Sequence, residues 1–370
     1  MNVVIAGGGT GGHLFPGIAI AEGLIAKNPD TRILFAGTKR EMETTVLSQK
    51  GFPIKRISQE GMKGRGVFRQ LRAAARIPGA IIQAGLFLGK FKADLVVGVG
   101  GYSSGPVAIA AFFMRIPVVI HEQNVLPGLT NRLLERFAVR VFVSFPESVR
   151  CFDRKKTLIT GNPVRKDLLA ARTAKKDPKR FVVLVAGGSQ GAHRINEIVV
   201  DALRIIKDVP DIYFIHQTGE KDAQWVRRAY RKLGRNDRTG PFFDDMATAY
   251  GSADLVVCRA GATTVAEIAV LGKAAILIPF PFATDNHQEL NARGLSEQKG
   301  AELILERDLD GRLLAERIIY YKEHAAELKK MGANAQKLGR PDAVERIVEE
   351  ISRVCGQVQS CIKKNIMCIL

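Results

Sequence analysis

The sequence has very little tryptophan and cysteine, and both shortages exclude classes of function. It contains one Trp and six Tyr in 370 residues and no stacking motif of the kind on which nucleic acid bases lie. No nucleic-acid fold signature is recognised either, so we expect no nucleic acid partner. The five cysteines are irregularly spaced and include no C-x-x-C pair, which disfavours a metal site and a disulfide framework. They are Cys151, Cys258, Cys355, Cys361 and Cys368.

Long apolar runs are also missing. The nearest candidate for a membrane span, residues 105–120, is interrupted by Pro106, Arg115 and Pro117. No run reaches the roughly 20 apolar residues that a transmembrane helix needs. Residues 1–5 enter a strand-like segment at once, which leaves no room for a signal peptide. Together with the cysteine usage, these features favour a reducing cytoplasm.

Acidic residues are too few to balance the basic ones. The 55 Lys and Arg against 37 Asp and Glu leave a net charge of +18. Such an excess favours an anionic partner: a nucleic acid, a phosphate-bearing substrate or an acidic membrane surface. The first of these already lacks aromatic and motif support. The length predicts two domains with a sizeable core.

Two nucleotide-binding motifs are incomplete. Gly7, Gly9 and Gly12 follow a strand-like run with the spacing G-x-G-x-x-G. The second strand, however, ends in residues 37–40 without the acid that a dinucleotide fold uses to hold a ribose. His13 stands where a P-loop needs its lysine. An NAD(P) oxidoreductase is therefore disfavoured, and a P-loop is excluded.

The glycine loop occurs twice. Each copy follows a β-branched apolar run and opens an amphipathic helix, as at the start of a nucleotide-type α/β domain. A third glycine loop spans residues 98–106. Glycines let backbone N–H groups approach an anion, so all three loops are candidate anion cradles, although any single one can be a mere tight turn. The residues repeated 180 positions apart are Gly7, Gly8, Gly11 and His13, matched by Gly187, Gly188, Gly191 and His193.

Continuous apolar runs recur along the chain and indicate buried parallel strands covered by helices. We predict strands over residues 32–37, 94–99, 117–121, 212–216, 253–257 and 274–279. The fold class is thus α/β. A polar, basic stretch over 170–180 follows the motif at 160–163, which places the boundary between domains 1–162 and 163–340. An amphipathic helix is predicted over 341–351.

The second half contains a candidate diphosphate site. Small residues at 260–264 follow a predicted strand and leave a helix N-terminus open to a diphosphate. Glu267, about one turn into this helix, can accept both hydroxyls of a ribose; the alternative is a first-turn acid that complements the helix dipole. Asp244 and Asp245 are interpreted as a pair of helix caps. Residues 279–291 are rich in amide and carboxylate groups, which match sugar hydroxyls.

Taken together, the motifs resemble those of the MurG family, the bacterial peptidoglycan glycosyltransferases that convert lipid I to lipid II. The resemblance runs from Gly7 to about Val354 and is specific only as a set. Its motifs are residues 8–13 (GGTGGH), 100–106 (GGYSSGP), 121–124 (HEQN), 161–165 (GNPVR), 187–192 (GGSQGA) and 258–267 (CRAGATTVAE).

The resemblance implies a GT-B fold, in which two Rossmann-like, doubly wound domains face each other across a cleft. It implies that domain 1–162 takes the acceptor at the membrane, that domain 163–340 binds UDP-N-acetylglucosamine, and that a helix over 341–356 packs back on the first domain. The implied acceptor is lipid I, the undecaprenyl-diphosphate-linked MurNAc-pentapeptide. No cofactor is implied. Another GT-B enzyme with a different nucleotide sugar and acceptor is the alternative.

The resemblance also implies contacts for single residues. The backbone near Phe243 meets the uracil, Glu267 takes the ribose, and Ser189 helps the helix start to hold the diphosphate. Gln288 and Asn291 face the sugar hydroxyls. The implied donor residues are Thr10, Gly11, Gly12, Asn124, Arg165, Ser189, Phe243, Ala262, Thr263, Thr264, Val265, Ala266, Glu267, Gln288 and Asn291. The implied acceptor residues are Gly9, Gly101, Tyr102, Ser103, His121 and Gln123.

The implied reaction inverts an α-linked donor to a β-1,4 product, so it needs a base for the acceptor hydroxyl and charge stabilisation on departing UDP. His13 is the first candidate base because an imidazole titrates near neutral pH. Its alternative role is to bind the acceptor diphosphate, which the second copy at His193 favours. Glu122 is the rival base, and its alternative role is to orient His121.

No metal site is predicted. Asp308 and Asp310 have the D-x-D spacing of metal-dependent glycosyltransferases, but they precede a helical run that begins near Arg312. We therefore interpret them as capping residues. Helix dipoles and backbone amides can neutralise the leaving diphosphate instead of a metal ion.

Basic residues cluster between Lys55 and Lys92, where nine of them accompany one acid, Glu60. An apolar stretch that contains Pro78 and Gly79 follows them, and this pair puts a continuous helix in doubt. A basic rim beside an apolar patch suits an anionic leaflet; the alternative is a core side with a solvated face. The lipid-linked acceptor favours the membrane, so we predict a peripheral protein on the cytoplasmic face of the bacterial inner membrane. One helix face would carry Arg65, Arg69, Arg72 and Arg76.

Overall fold

A computed structural model describes residues 1–38, 40–57, 76–170, 179–188 and 190–367. The chain divides into two compact units, each with its own sheet. The first unit is Met1–Pro163 together with Asp342–Leu370, and the second is Val164–Pro341. The boundary expected between residues 162 and 163 adjoins this division.

The first unit is built on seven parallel strands in the order β3-β2-β1-β4-β5-β6-β7, within the described residues. The order reverses between β1 and β4, and ligands bind at such a switch point beyond the carboxyl ends of the strands. The strands are β1 (Asn2–Ala6), β2 (Arg32–Gly37), β3 (Ile54–Arg56), β4 (Leu95–Gly98), β5 (Val118–Glu122), β6 (Arg140–Val143) and β7 (Thr157–Ile159).

Helices cover both faces of this sheet. Because side chains alternate along a strand, Val3 and Ile5 of β1 enter one core and Val4 and Ala6 enter the other. Pro78 lies in the first turn of α3, where its missing N–H breaks no hydrogen bond, so the helix is continuous through it. The helices are α1 (Gly11–Lys27), α2 (Glu41–Gln49), α3 (Ile77–Phe91), α4 (Ser104–Phe113) and α5 (Leu129–Leu134).

The second unit repeats this design with six parallel strands in the order β10-β9-β8-β11-β12-β13. They are β8 (Phe181–Ala186), β9 (Ile212–Gln217), β10 (Arg238–Gly240), β11 (Leu255–Cys258), β12 (Ala274–Leu277) and β13 (Glu302–Leu303). The helices are α6 (Lys166–Ala170), α7 (His193–Ile205), α8 (Ala223–Lys232), α9 (Met246–Ser252), α10 (Ala262–Leu271), α11 (His287–Ser296), α12 (Gly311–Glu323) and α13 (Ala325–Leu338).

The last helix, α14 (Ala343–Met367), belongs to the first unit and packs on α1. Val344 and Ile347 enter the same core as Val3. A Cβ added at Gly23 of α1 would lie 2.4 Å from Val344 Cγ1, so only glycine allows this close approach. The helix extends well beyond the predicted residues 341–351.

The six strands predicted from the sequence are confirmed as β2, β4, β5, β9, β11 and β12. The expected α/β class is confirmed as well, since both units are Rossmann-like parallel sheets flanked by helices. Among the described residues, no helix combines the length and the apolarity that crossing a membrane would require.

Candidate active site

His13 stands near the start of α1, beyond the carboxyl end of β1. Its ring lies against Gly100 in the loop after β4, because a Cβ at that position would be 3.0 Å from two ring atoms. Gly100 has a φ of 91°, a left-handed conformation that glycine adopts without strain. The first and third glycine loops therefore meet around this ring. Beside it, Thr10 and Gly12 are exposed and Gly11 is buried.

Gln123 connects His13 to the buried His121. Nδ1 of His13 lies 3.0 Å from Oε1 of Gln123. The side-chain amide nitrogen of Gln123 donates to the Val99 carbonyl at 2.9 Å and lies 3.0 Å from Nδ1 of His121. Nε2 of His121 in turn lies 3.2 Å from the Gly161 carbonyl oxygen. These groups form one continuous row of hydrogen bonds.

His121 is neutral at physiological pH. Burial lowers the pKa of His121 to about 4, against a smaller opposing effect of its bond with Gly161. His121 and Gln123 are 0% and 1% exposed, so neither side chain reaches a molecule bound at the surface. We had expected both residues to contact the acceptor. Their burial instead suits a role in which they hold the ring of His13 in place.

The carboxylate of Glu122 is fully engaged within the first unit. Oε1 accepts from the backbone and side-chain nitrogens of Asn124 at 2.9 and 3.1 Å. Oε2 accepts from the Gly128 backbone at 3.0 Å and from Asn131 Nδ2 at 2.9 Å. Protonation of either oxygen would weaken the bonds that this oxygen accepts, so the arrangement favours a loop-holding role for Glu122.

A carboxylate of the chain itself occupies the first glycine loop. Glu43 is 1% exposed and accepts from the backbone and hydroxyl of Thr38 at 2.7 and 2.8 Å. It also accepts from the Gly9 backbone N–H, while Arg40 donates to the Gly9 carbonyl. The N–H that was expected to bind the acceptor is thus already bonded. A carboxylate therefore does lie at the end of β2, where the sequence lacked one, but it belongs to Glu43 of the following helix α2.

The other acceptor candidates lie in the third glycine loop. A Cβ at Gly101 would be 2.6 Å from the Gly8 carbonyl oxygen, so the two loops pack backbone against backbone. Tyr102 is 45% exposed and accessible to a ligand. Ser103 is buried, and among the described residues its hydroxyl finds no hydrogen-bond partner.

In the second unit, α10 begins directly beyond the carboxyl end of β11, with Gly261 as its N-cap. Its first turn contains no acidic residue, so the positive end of the helix dipole favours an anion there. Ser189 lies outside the described residues. The candidate diphosphate residues of this helix start are Ala262, Thr263, Thr264, Val265 and Ala266.

Glu267 is buried in the second turn of α10, which excludes the alternative of a first-turn acid placed for the dipole. Burial raises the pKa of Glu267, against the opposing charge of Arg165 and a hydrogen bond from Tyr250. The Tyr250 hydroxyl donates to Oε2 at 3.1 Å. The fold thus brings the two candidate donor residues Arg165 and Glu267 into electrostatic contact.

Gln288 and Asn291 lie three residues apart on α11 and therefore share one face of it. Oε1 of Gln288 accepts from the Phe280 backbone at 2.9 Å. Asn291 is buried and donates to the Ala260 carbonyl at 3.3 Å, just ahead of α10. This face of α11 therefore adjoins the candidate diphosphate site.

Gln217, at the end of β9, is a site residue that the sequence reasoning missed. Its Oε1 accepts from the Phe243 backbone at 3.0 Å, and its Nε2 donates to the Gly188 carbonyl at 3.2 Å. The sequence did contain a signal for Gln217, because it is a polar residue at the carboxyl end of a strand, where ligands bind in such sheets. Because the Phe243 N–H is taken, the expected contact with uracil requires another backbone group.

Two aspartates cap helices as interpreted. Asp245 caps α9 by accepting from Thr248 N at 2.9 Å, and Asp310 caps α12 by accepting from Leu313 N at 2.8 Å. Asp308 instead lies in a short 3₁₀ helix, and Asp244 precedes the N-cap of α9, so the capping interpretation is wrong for these two residues. Across the described part of the chain, no group of three or more His, Cys, Asp and Glu side chains is arranged to hold a metal ion.

Two family descriptions match this chain. The glycosyltransferase family 28 N-terminal domain matches residues 3–143, and the glycosyltransferase family 28 C-terminal domain matches residues 182–347. The crystal structure of Acinetobacter baumannii MurG is similar, with a TM-score of 0.74 and 31% identity over 95% of this chain and 99% of that one. The chain belongs to the MurG family within glycosyltransferase family 28.

Relatives of this MurG-family chain carry the name UDP-N-acetylglucosamine--N-acetylmuramyl-(pentapeptide) pyrophosphoryl-undecaprenol N-acetylglucosamine transferase. The one from Geotalea uraniireducens (strain Rf4) is 45% identical over 370 residues, which cover 98% of this chain and 100% of that protein. The one from Syntrophus aciditrophicus (strain SB) is 47% identical over 351 residues, which cover 94% and 97%. Both units are therefore included in the similarity.

The fold is also found in proteins of another kind. A UDP-GlcNAc 2-epimerase from Neisseria meningitidis has a TM-score of 0.68 at 17% identity, over 95% of this chain and 100% of that one. At this identity the likeness shows the fold alone. Function within the MurG-family chain must therefore be argued from its own site residues.

Proposed function

We propose that this protein transfers N-acetylglucosamine from UDP-N-acetylglucosamine to the C4 hydroxyl of MurNAc in lipid I, giving lipid II for peptidoglycan synthesis. The observation that carries the proposal is the similarity of 98% of the chain to a relative named for this reaction. The geometry agrees, because each unit has glycine loops at the switch point of a parallel sheet.

The donor is held by the second unit. Glu267 accepts hydroxyls of the ribose, because a buried carboxylate with one partner retains acceptor sites. The start of α10 receives the diphosphate and stabilises the charge that develops on departing UDP. Gln288 faces the sugar from α11, and the buried Asn291 supports the segment ahead of α10 by donating to the Ala260 carbonyl. Arg165 adds positive charge beside Glu267.

The reaction is a single displacement with His13 as base. The C4 oxygen of the acceptor forms a bond to C1 of N-acetylglucosamine, and its proton passes to an imidazole nitrogen of His13. The bond between C1 and the diphosphate oxygen breaks, and its electron pair leaves on UDP. One displacement inverts the anomeric centre from α to β. The step involves no oxidation or reduction, so its electrons balance without a cofactor.

The reaction is tested by UDP release from several nucleotide sugars, each with and without lipid I. We expect efficient release only when UDP-N-acetylglucosamine and lipid I are both present. A higher kcat/KM with another nucleotide sugar would reassign the protein to a different GT-B transferase. Conversion of UDP-N-acetylglucosamine to an epimer without any acceptor would contradict the transferase assignment.

The first unit has an exposed apolar patch that we propose to rest on the membrane. Ile82 and Leu86 of α3 are 66% and 73% exposed, and Phe113 at the end of α4 is 73% exposed. Met114 joins the two helices, since its methyl carbon lies 3.6 Å from where a Cβ at Gly89 would be. We call Ile82, Leu86, Phe113 and Met114 the apolar patch.

Exposed cations accompany the apolar patch in sequence: Lys90 lies in the last turn of α3, Lys92 follows that helix, and Arg115 follows Met114. Cations beside exposed apolar side chains suit the surface of an anionic leaflet. The predicted basic helix falls largely on residues 58–75, which lie outside the described residues. The protein would thus be peripheral, on the cytoplasmic face of the membrane, where its lipid-linked acceptor is presented.

Vesicle sedimentation tests the membrane proposal. Leu86→Ser together with Phe113→Ser should weaken binding to anionic vesicles about tenfold or more, because buried apolar area is lost. The control is Phe282→Ser, since Phe282 is 83% exposed in the second unit. Equal binding of the unaltered protein to neutral and anionic vesicles at low salt would contradict the proposal, as would an equal loss in the control.

A further inference from the structure

The row of hydrogen bonds behind His13 has a fixed direction. The Gly161 carbonyl can only accept, so Nε2 of His121, 3.2 Å away, carries a hydrogen. His121 is neutral because burial lowers its pKa to about 4. Its Nδ1 therefore bears a lone pair. That lone pair accepts from the side-chain amide of Gln123 at 3.0 Å.

The orientation of the Gln123 amide follows from the same groups. Its nitrogen donates to the Val99 carbonyl at 2.9 Å as well as to His121. Rotating the amide by half a turn would bring its oxygen against the Val99 oxygen and against the His121 lone pair, and both contacts are repulsive. The amide oxygen must therefore point toward His13.

The consequence falls on His13. An amide oxygen only accepts, so Nδ1 of His13, 3.0 Å from Oε1 of Gln123, carries the hydrogen. In a neutral imidazole the other nitrogen then bears the lone pair. Nε2 of His13 has no hydrogen-bond partner among the residues that the structure describes. The imidazole is thus prepared to accept a proton at Nε2.

We propose that Gln123 and His121 are positioning residues that fix His13 as the Nδ1–H tautomer, so that its Nε2 receives the proton of the acceptor hydroxyl. The relay runs from the Gly161 carbonyl through His121 and Gln123 to His13. The Gly161 carbonyl, His121 and Gln123 are all neutral, so they orient His13 without adding charge beside it. This inference rests on the proposed role of His13, but the tautomer itself can be measured without any substrate.

Nuclear magnetic resonance of the full chain, labelled with ¹⁵N in its imidazoles, reads the tautomer directly. The protein has six histidines, and loss of one signal set in His13→Ala identifies those of His13. We expect His13 to show a protonated Nδ1 and an unprotonated Nε2. In Gln123→Leu, which keeps the side-chain size but loses the acceptor oxygen, the Nε2–H form should become populated. An Nε2–H form in the unaltered protein would overturn the proposal.

Kinetics test whether the tautomer matters to catalysis. Gln123→Leu should lower kcat with lipid I about 10–100-fold, a part of the effect of a general base, while KM for UDP-N-acetylglucosamine stays within about twofold. Gln123→Glu should not restore kcat, because its second oxygen would face the Val99 carbonyl and the His121 lone pair, where the relay needs a donor. The control is Ser144→Ala, whose lost hydroxyl bonds the nearby Glu122 carbonyl at 3.0 Å but is outside the relay.

The outcomes separate this inference from the proposed function. An active protein whose Gln123→Leu variant keeps both its His13 tautomer and its kcat would refute the relay and leave the transferase assignment intact. A protein that shows the Nδ1–H tautomer but does not transfer the sugar would refute the assignment of function instead. If Gln123→Leu does not fold, His121→Phe gives the same two readouts, because it removes the acceptor that orients Gln123.

Discussion

Each unit places a histidine near the start of the helix that follows its first glycine loop, but the two histidines have different partners. His13 meets the neutral amide of Gln123, whereas Nδ1 of His193 lies 3.0 Å from both carboxylate oxygens of Asp222. Nε2 of His193 is 3.4 Å from Glu197. The same sequence signature therefore yields one histidine between two carboxylates and another whose Nε2 is unpaired within the described residues.

Behind each histidine lies a buried neutral imidazole. Burial lowers the pKa of His216 to about 3, and its Nε2 lies 3.0 Å from Oδ1 of Asn196. Asn196 in turn donates to Asp222 at 2.7 Å. His121 likewise contacts Gln123, although it lies on β5 and His216 lies on β9. The comparison teaches that the glycine loop sets where a histidine stands, while the side chain from a neighbouring segment decides whether it is held by carboxylates or by a neutral amide.

The largest expected effect separates the two histidines. His13→Ala removes the proposed base and should lower kcat about 10²–10⁴-fold, whereas the matched His193→Ala should stay within about threefold because we propose no proton transfer there. The measurement is UDP release at saturating UDP-N-acetylglucosamine and lipid I.

Near-normal turnover of His13→Ala would remove the basis of the comparison. An equal loss in both variants would mean that the two histidines serve anion binding alike. Glu122→Gln extends this test to the rival base. Because glutamine has one acceptor oxygen in place of two, this variant should lose thermal stability as well as activity, and an intact fold with no activity would favour Glu122 as the base.

The next effect concerns the buried carboxylate of the second unit. Glu267→Gln should raise KM for UDP-N-acetylglucosamine about 10–100-fold, because hydrogen bonds to a charged group are worth about 1.5–3 kcal/mol. Tyr250→Phe is the matched control: it removes only the supporting hydroxyl and should raise KM about 2–10-fold. Unchanged KM in Glu267→Gln would place the ribose elsewhere.

The pH dependence of donor binding sharpens this assignment. Because burial raises the pKa of Glu267, its carboxylate loses charge at a higher pH than an exposed glutamate does. Only the charged form accepts from both ribose hydroxyls. Calorimetry with UDP should therefore show weaker binding as the pH falls, and the loss should begin at a higher pH than an exposed glutamate would give. This loss should be absent in Glu267→Gln; its persistence there would point to another group.

The fold was largely predictable because its strands are continuous apolar runs. Residues 32–37 and 94–99, for example, form β2 and β4 in place, and the glycine loop follows each first strand. Such patterns are local, and a buried parallel strand has to be apolar on both faces. The end of α14 was missed, although apolar residues recur there every four residues, which is the period of an amphipathic helix. They are Val354, Val358, Ile362 and Ile366.

The site was predictable as a set of positions but not as a set of contacts. His13 and Gln123 are separated by 110 residues, and Gly9 and Glu43 by 34. Spacing along the chain carries no information on such pairs, because the sheet order brings them together. Gln217 was missed for the same reason: its partners come from two other loops.

Asp222 tests what the second histidine's network does. Burial on its own raises the pKa of Asp222, but hydrogen bonds from Trp225, Asn196 and His193 outweigh it, so the pKa is lowered. A lowered folded pKa means that the carboxylate stabilises the fold above its unfolded pKa and stops doing so as the pH falls through the folded one. Asp222→Asn should therefore cost about 1–3 kcal/mol at neutral pH.

Thermal unfolding of Asp222→Asn at two pH values measures this contribution. The melting temperature should fall at pH 7, and the difference from the unaltered protein should shrink at about pH 3–4, where an ordinary Asp is protonated. Turnover well below the melting temperature should be unchanged. A large loss of kcat without loss of stability would mean that the second network serves catalysis, and the contrast with Gln123 would fail.

The smallest effect concerns Asp310, which accepts from Leu313 N at 2.8 Å as the cap of α12. Asp310→Ala should cost about 1 kcal/mol of stability, as loss of a helix cap does, and leave kcat within about twofold. Asp308→Ala, two residues away and outside the cap, should cost less. We expect both results because, in the proposed function, Glu267 binds the donor and the D-x-D pair of Asp308 and Asp310 does not. A collapse of turnover in Asp310→Ala that excess Mn²⁺ restores would instead make this pair a metal site, and α10 would then not be sufficient to stabilise departing UDP.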